Sequence, residues 1–184
     1  LVLRRQRQMC IRDSSNYLEV TAPVETEMGG IRFEDNGDVT IITGTLDYGQ
    51  GHAVAFAQVL HSFLGIPFER IKLLQGDSDE LITGGGTGGS KSIMASGGAI
   101  IEAATEVIKK AKTAASYFFE TSEEDIEFKN GNLTVAGTDK SVSLIELSSE
   151  LKTNFTKPDG RPDTLDVKLD HGGVPSAFPN GCHI

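Results

Sequence analysis

Gly84-Gly85-Gly86-Thr87-Gly88-Gly89-Ser90-Lys91-Ser92 runs straight into Ile93-Met94-Ala95-Ser96-Gly97-Gly98-Ala99-Ile100. This junction of a glycine-rich loop with a periodic segment decides the fold class. From Ile93 onward the apolar or small residues Ile93, Gly97, Ile100, Ala104, Val107, Ala111, Ala115 and Phe118 return at steps of three and four. That is the period of one helical face, and it predicts a helix of about 25 residues. Ser90 or Ser92 is the expected N-cap, because a side-chain oxygen there can accept from a first-turn amide. Gly97 and Gly98 inside the helix each cost about 1 kcal/mol relative to alanine. Such a cost implies close approach of another backbone or of a ligand.

Upstream, the same loop-then-helix pattern occurs once more in a shorter form. Ile31–Phe33 and Val39–Thr43 are β-rich runs separated by Glu34-Asp35-Asn36-Gly37-Asp38, whose Asn-Gly marks a hairpin turn. Gly44 to His52 then reads as a loop. Ala53 to Leu64 reads as a helix, with Ala53, Ala57, Leu60 and Leu64 on one face and Phe56 and Phe63 beside it. Gly65 and Pro67 stop it. Ile71–Leu74 is an expected strand, and Gln75 to Gly89 a polar loop.

Downstream of the long helix, Ile126–Phe128 and Leu133–Val135 flank Lys129-Asn130-Gly131-Asn132, a second hairpin. Ser143 with Glu146 forms a capping box that opens a short helix reaching about Leu151. Residues 154–163, with two prolines, read as loop. The expected class is α+β, with short antiparallel hairpins packed against two main helices. Exposed apolar faces are expected as well.

The composition bounds what such a chain can do. It has 184 residues, of which 38% are hydrophobic, enough for one domain with a core or two small ones. No uninterrupted apolar run is long enough for a membrane span. The net charge of −9 argues against nucleic acid as the main partner, since phosphate backbones attract basic surfaces. Two cysteines, Cys10 and Cys182, make neither a disulfide framework nor a four-cysteine zinc site, and fit a reducing, cytoplasmic setting. Residues 1–14 (LVLRRQRQMCIRDS) hold four arginines and no apolar stretch of signal-peptide length. They resemble a translated sequencing-adapter tail and are set aside as non-native, leaving 15–184 as one partial domain.

The chemical signal lies in the two glycine loops. A helix start presents unpaired N–H groups and about half a positive charge. Glycines let that backbone touch an anion, and hydroxyls add donors. Gly49, Gln50, Gly51 and His52 in the first loop, and Thr87, Gly88, Gly89, Ser90 and Ser92 in the second, therefore form a candidate seat for a phosphorylated cofactor. Neither loop has P-loop or dinucleotide-fold spacing. Asp47, His52, Asp77 and Asp79 lack metal-ligand spacing, and Asp77 and Asp79 read as turn caps. Cys182 reads as a small buried residue. His171 and His183 lie in poorly patterned segments.

Several runs, taken together and in order, resemble one known family. They are Gly44-Thr45-Leu46-Asp47-Tyr48-Gly49-Gln50-Gly51-His52 with Phe56-Ala57-Gln58, Leu64-Gly65-Ile66-Pro67, Gln75-Gly76-Asp77-Ser78-Asp79, Gly86-Thr87-Gly88-Gly89-Ser90-Lys91-Ser92 and Phe178-Pro179-Asn180-Gly181-Cys182-His183. In this order they are similar to the molybdenum-binding large subunit of the xanthine dehydrogenase, aldehyde oxidase and carbon monoxide dehydrogenase family, over about Asn16 to Ile184.

The resemblance implies a molybdenum-pterin cofactor, in the cytosine dinucleotide form in many bacteria. It implies oxidation of an aldehyde, a purine, an N-heterocycle or carbon monoxide, with water as oxygen source. It also implies FAD and 2Fe-2S clusters on partner subunits, in a dimer of heterotrimers. Gln50 would then bond the cofactor through its side chain, Gly49 and Gly51 would admit its approach, and Thr87, Gly88, Ser90 and Ser92 would donate to it. Lys91 stands where the family commonly has arginine, which replaces a planar fork by a point charge. The family's glutamate base sits in a later glycine-rich loop that residues 1–184 do not contain. No catalytic residue is assigned, and the chain is expected to be an inactive internal piece. The alternatives are a stand-alone module for a phosphorylated small molecule and a non-catalytic relic.

Overall fold

The computed structural model describes residues 14–22, 26–153 and 159–183. The set-aside tail up to Asp13 and the Asn154–Pro158 part of the expected loop lie outside them. The described chain forms three sheets and three α-helices, a mixed α+β fold. The strands are β1 (Ser15–Leu18), β2 (Thr26–Phe33), β3 (Val39–Thr43), β4 (Ile71–Gln75), β5 (Ile126–Lys129), β6 (Asn132–Val135), β7 (Ser141–Ser143), β8 (Val167–Gly172) and β9 (Asn180–His183). The helices are α1 (His52–Leu64), α2 (Ser92–Phe119) and α3 (Leu144–Thr153).

The main sheet has the order β4-β3-β2-β8. β2 and β3 form the expected hairpin, closing at Phe33↔Val39 with Gly37 in the left-handed region at φ 82°. Beside the expected hairpins stands one pairing of another kind, that of β3 with β4. It is parallel, in register from Val39↔Ile71 to Thr43↔Gln75, and α1 makes the crossover. β5, β6 and β7 form the second sheet, turned by Asn130 (φ 47°) and Gly131 (φ 79°), which suits a tight two-residue hairpin. β1 and β9 pair alone.

The long helix runs for 28 residues and packs on β2, β8 and α1. Its buried side is built from small residues, including Ala95, Ala99, Ala103, Ala104, Ala111, Ala114 and Ala115. Small side chains let it lie close to the sheet. A Cβ on Gly29 of β2 would stand 2.3 Å from the Ala99 carbonyl oxygen. The stripe is buried from Gly97 to Ala115, while Ile93 and Phe118 at its ends are exposed. Of the two internal glycines, Gly98 does admit a neighbour, since the His171 ring would lie 3.0 Å from its Cβ. Gly97 meets only Ile93 of its own helix.

Neither serine caps α2. The N-cap position falls on Lys91 with no side-chain bond, because left-handed backbone at Gly89 (φ 61°) and Ser90 (φ 57°) turns the chain into the helix. On α1 the buried side is His52, Phe56, Ala57, Leu60 and Leu64, while Ala53 and Phe63 face solvent. The stripe is set by the four-residue steps Phe56, Leu60 and Leu64, and these leave Ala53 off the buried face. Gly65 ends α1 at φ 67°, its amide donating to the His61 carbonyl. The capping box of α3 is present, with Ser143 Oγ 2.8 Å from Glu146 Oε2 and the Glu146 amide 3.2 Å from Ser143 Oγ. Cys182 is exposed rather than buried, since β9 pairs only with the short β1.

Candidate cofactor site

The parallel pairing of β3 with β4 is what brings the two glycine loops together. Both loops leave the carboxyl end of their strand, next to the Thr43↔Gln75 pair. Outside the carboxyl ends of parallel strands is where such sheets hold ligands. The loops also touch. A Cβ on Gly44 would lie 2.4 Å from Gly84 Cα and 2.6 Å from the Thr83 carbonyl, so only glycine permits this crossing. Beyond it the Thr87 hydroxyl donates to the Leu46 carbonyl at 2.6 Å and accepts from the Leu46 amide at 3.0 Å.

A cavity of about 410 Å³ opens between the loops, lined by Gln50, His52, Ala55, Phe56, Thr87, Gly88, Ser90, Ser92 and Ile93. This volume suits part of a cofactor. Of the residues nominated from sequence, Gln50, His52, Thr87, Gly88, Ser90 and Ser92 line it. Gly49, Gly51 and Gly88 are open on the side where a Cβ would stand, with nothing within 4 Å. Gly89 does not face the cavity; its carbonyl accepts from the Ala22 amide at 2.7 Å, and its Cβ position is filled by Ala22. The Thr87 hydroxyl is spent on Leu46, so of the loop hydroxyls Ser90 is the more available, making no hydrogen bond among the described residues.

The amides of the first loop are already engaged. Asp47 Oδ1 accepts from Gly49 and Gln50 at 2.7 Å each and from Gly51 at 3.3 Å, while Oδ2 accepts from His52 at 2.8 Å. The chain thus places its own carboxylate in the nest that the sequence assigned to a ligand anion. The Gly49 amide first, then those of His52, Gly51 and Gln50, hold the Asp47 carboxyl below the usual aspartate range. A depressed folded pKa means that the carboxylate's support is present above the unfolded pKa and is lost as pH falls through the folded one. Asp47→Ala is therefore expected to speed hydrogen exchange at Gly49, Gln50 and His52 at neutral pH. Acidifying the wild type through the folded Asp47 pKa should do the same, apart from the intrinsic pH dependence of exchange. Unchanged protection in the variant would show that the loop holds itself without Asp47.

Two polar groups behind the loops, Glu27 buried and Gln75 half-buried, escaped the sequence reading. Glu27 of β2 is 1% exposed, and its Oε1 accepts from Gly44 N at 2.8 Å and Met28 N at 3.0 Å. Burial pushes its carboxyl above the usual glutamate range, against the pull of the Gly44 and Met28 amides and of Lys91, and with a small push from Asp170. Nearby, Gln75 Nε2 lies 3.0 Å from the Thr43 and Thr45 hydroxyls and 3.3 Å from His52 Nδ1. Ser96 Oγ of α2 joins Thr45 Oγ1 at 3.1 Å. Only Asp47 had a local signal, an Asp two residues before a glycine in a turn.

A larger cavity, of about 610 Å³, lies between the β2–β3 turn and α3. It suits an anion poorly. Glu34, Asp35, Asp38 and Glu146 line it, and its cations Lys152 and Arg70 already bond Asp35 and Asp38. Among the described residues no group of three or more His, Cys, Asp or Glu side chains is placed to hold a metal ion. No helix among them is long and apolar enough to cross a membrane.

A parallel strand pair that projects two glycine loops around one cavity, largely apolar with a few polar groups at its wall, is the frame of a ligand-binding α+β domain. The chain belongs to the molybdopterin cofactor-binding domain family, whose model matches residues 9–184. It is 34% identical over 155 residues to the nicotine 6-hydroxylase large subunit of Paenarthrobacter nicotinovorans, covering 83% of this chain and 19% of that protein. It is 36% identical over 109 residues to the carbon monoxide dehydrogenase large chain of Hydrogenophaga pseudoflava, covering 59% and 14%. The fold matches carbon monoxide dehydrogenase from Oligotropha carboxidovorans at a TM-score of 0.80 and 24% identity, over 97% of this chain and 25% of that one. It matches quinoline 2-oxidoreductase from Pseudomonas putida 86 at 0.75 and 25% identity, over 98% and 26%. The chain therefore spans about a fifth or less of the curated relatives' length and about a quarter of these two solved chains.

Proposed function

We propose that the cavity between the two glycine loops seats the phosphate-bearing part of the molybdenum-pterin cofactor, and that the chain serves within a molybdenum hydroxylase large subunit. The observation that carries this reading is the parallel β3–β4 pair, which sets Gln50 and His52 opposite Thr87, Gly88, Ser90 and Ser92 around one opening. When bound, the cofactor supplies oxidation of an aldehyde, purine, N-heterocycle or carbon monoxide, with water as oxygen source.

The residues of the chain hold and orient the cofactor. Ser90 and Ser92 offer hydroxyl donors, and Gly88 lets its backbone come into contact. Gln50 anchors its own loop through the Tyr48 amide and keeps its side-chain N–H groups for the ligand. Asp47 stiffens the first loop, so the ligand's anionic groups fall to the second. 2Fe-2S and FAD groups on partner subunits would take up the electrons. Residues 15–184 act as one part of a longer cofactor-binding region, with the preceding arginine-rich stretch foreign to it.

Inorganic pyrophosphate tests the seat directly. In an NMR titration of the chain, amides from Gly86 to Ser92 are expected to shift with saturation, and those of Gly49 to His52, held by Asp47, to shift less. Joint replacement of Ser90 and Ser92 by alanine should weaken binding about tenfold or more, the ratio set by losing hydrogen bonds to a charged group. A second loop that does not respond to pyrophosphate would count against the proposal.

A further inference from the structure

The His52 ring is 4% exposed, lines the cavity, and stacks on Phe56 with centroids 4.8 Å apart and planes at 24°. One ring nitrogen has a partner. His52 Nδ1 lies 3.3 Å from Gln75 Nε2, and no other hydrogen bond is made to the ring among the described residues. An amide nitrogen only donates, so in this contact Nδ1 is the accepting side. Nε2 makes no hydrogen bond among the described residues and is not among the atoms closed off without a partner, and His52 lines the cavity. Gln75 is itself held in place. Its amide nitrogen is 3.0 Å from both Thr43 Oγ1 and Thr45 Oγ1, both fully buried, so its two hydrogens are shared among three acceptors, the two hydroxyl oxygens and His52 Nδ1. Thr45 is in turn tied to Ser96 of α2. The chain of contacts runs from β3 and β4 through α2 to the wall of the cavity.

We propose that Gln75 is a positioning residue: its amide donates to His52 Nδ1, fixes the ring in the Nε2–H form, and so gives the cavity wall one directed N–H donor. The donor suits an acceptor oxygen, either a phosphate or a ring carbonyl of the ligand. This inference rests on the cavity being the cofactor seat, but the ring's proton can be located without any ligand. The sequence names His52 as a contact and gives Gln75 only as the start of a loop. The strand register is what joins them, since Gln75 ends β4 beside Thr43.

Nitrogen-15 NMR of the histidine rings in the chain decides it. His52 is identified by the signals that vanish in His52→Gln. At pH 8 the wild type is expected to show a bare Nδ1 and a protonated Nε2, with the Nε2–H form in about tenfold excess, the ratio that one net hydrogen bond supports. In Gln75→Glu the carboxylate can only accept, so the proton should move to Nδ1. In Gln75→Met the excess should fall several-fold toward a mixture. A wild type with its proton on Nδ1 overturns the proposal, and so do variants whose ring form matches wild type. If either variant fails to fold, the wild-type spectrum still decides. Pyrophosphate that fails to bind while the ring stays Nε2–H would sink the cofactor seat and leave the Gln75 contact standing. Pyrophosphate that binds while the ring is Nδ1–H would do the reverse.

Discussion

Gly44→Ala is expected to cost about 3 kcal/mol of stability and to abolish pyrophosphate binding. The new Cβ would stand 2.4 Å from Gly84 Cα, 2.6 Å from the Thr83 carbonyl oxygen and 2.8 Å from Glu27 Oε1. Two of these three neighbours are backbone, and backbone cannot swing aside as a side chain can. The loops must separate, and with them goes the Thr87 bridge to Leu46. Gly88→Ala is the control. Its Cβ meets nothing within 4 Å, so it should cost under about 0.5 kcal/mol while still weakening pyrophosphate binding, since the methyl enters the cavity. Chemical denaturation of both variants, read beside the pyrophosphate titration, checks the contrast. Equal stability losses would mean that the loops do not cross as described.

The second large effect is expected at Glu27. Glu27→Ala strips the Gly44 and Met28 amides of their acceptor in a buried place, at a cost of about 2–3 kcal/mol. Glu27→Gln keeps a carbonyl for them and removes the charge. Burial raises the folded pKa above the unfolded one, opposed by the two amides and Lys91 and aided by Asp170. A raised carboxyl favours folding when protonated. Its contribution is fully present below the unfolded pKa and is lost as pH rises through the folded value. The Gln variant should therefore gain on wild type as pH rises across that window, and hold a constant advantage above it. Melts at a series of pH values test this. A Gln variant that loses ground to wild type as pH rises would show that the carboxylate is better solvated or paired than the geometry implies.

The sequence disclosed its local rules well. The helix from the Ile93 stripe, the Gly65 stop, the Asn130-Gly131 hairpin and the Ser143–Glu146 capping box each depend on residues a few positions apart, and each is present. What stayed hidden depends on partners distant in the chain. β4 reads as a strand, yet nothing within Ile71–Gln75 says that it lies parallel to β3. β8 does alternate, with Leu165, Val167 and Leu169 on one side, a strand signal that went unread, whereas β9 alternates little and its pairing with β1 defines it. Glu27 looks like an ordinary charge in Thr26–Phe33 until Gly44 closes over it. Six of the nine nominated residues line the cavity, because glycine and hydroxyl clusters before helix starts mark the two loops, while Ala55, Phe56 and Ile93 line it from helix faces that sequence spacing assigned elsewhere. The Asp47 carboxylate in the first nest was not, because only the folded loop shows which anion sits there.

The pairing of β2 with β8 also bears on how the protein is made. Thr26 faces Gly172 and Ile31 faces Val167, with nearly all of the described chain between them. During synthesis β2, β3, α1, β4 and α2 all emerge before β8. Contacts between such distant segments close slowly, and until they do the outer edge of β2 has bare amides and carbonyls. An unpaired edge is a template for strands of other chains. Both glycine loops are thus built and adjacent while their sheet is still open on one side. Whatever first meets the nascent chain at that stage meets a formed pocket on an unfinished sheet, and arrest of synthesis before Val167 would leave that edge exposed for good.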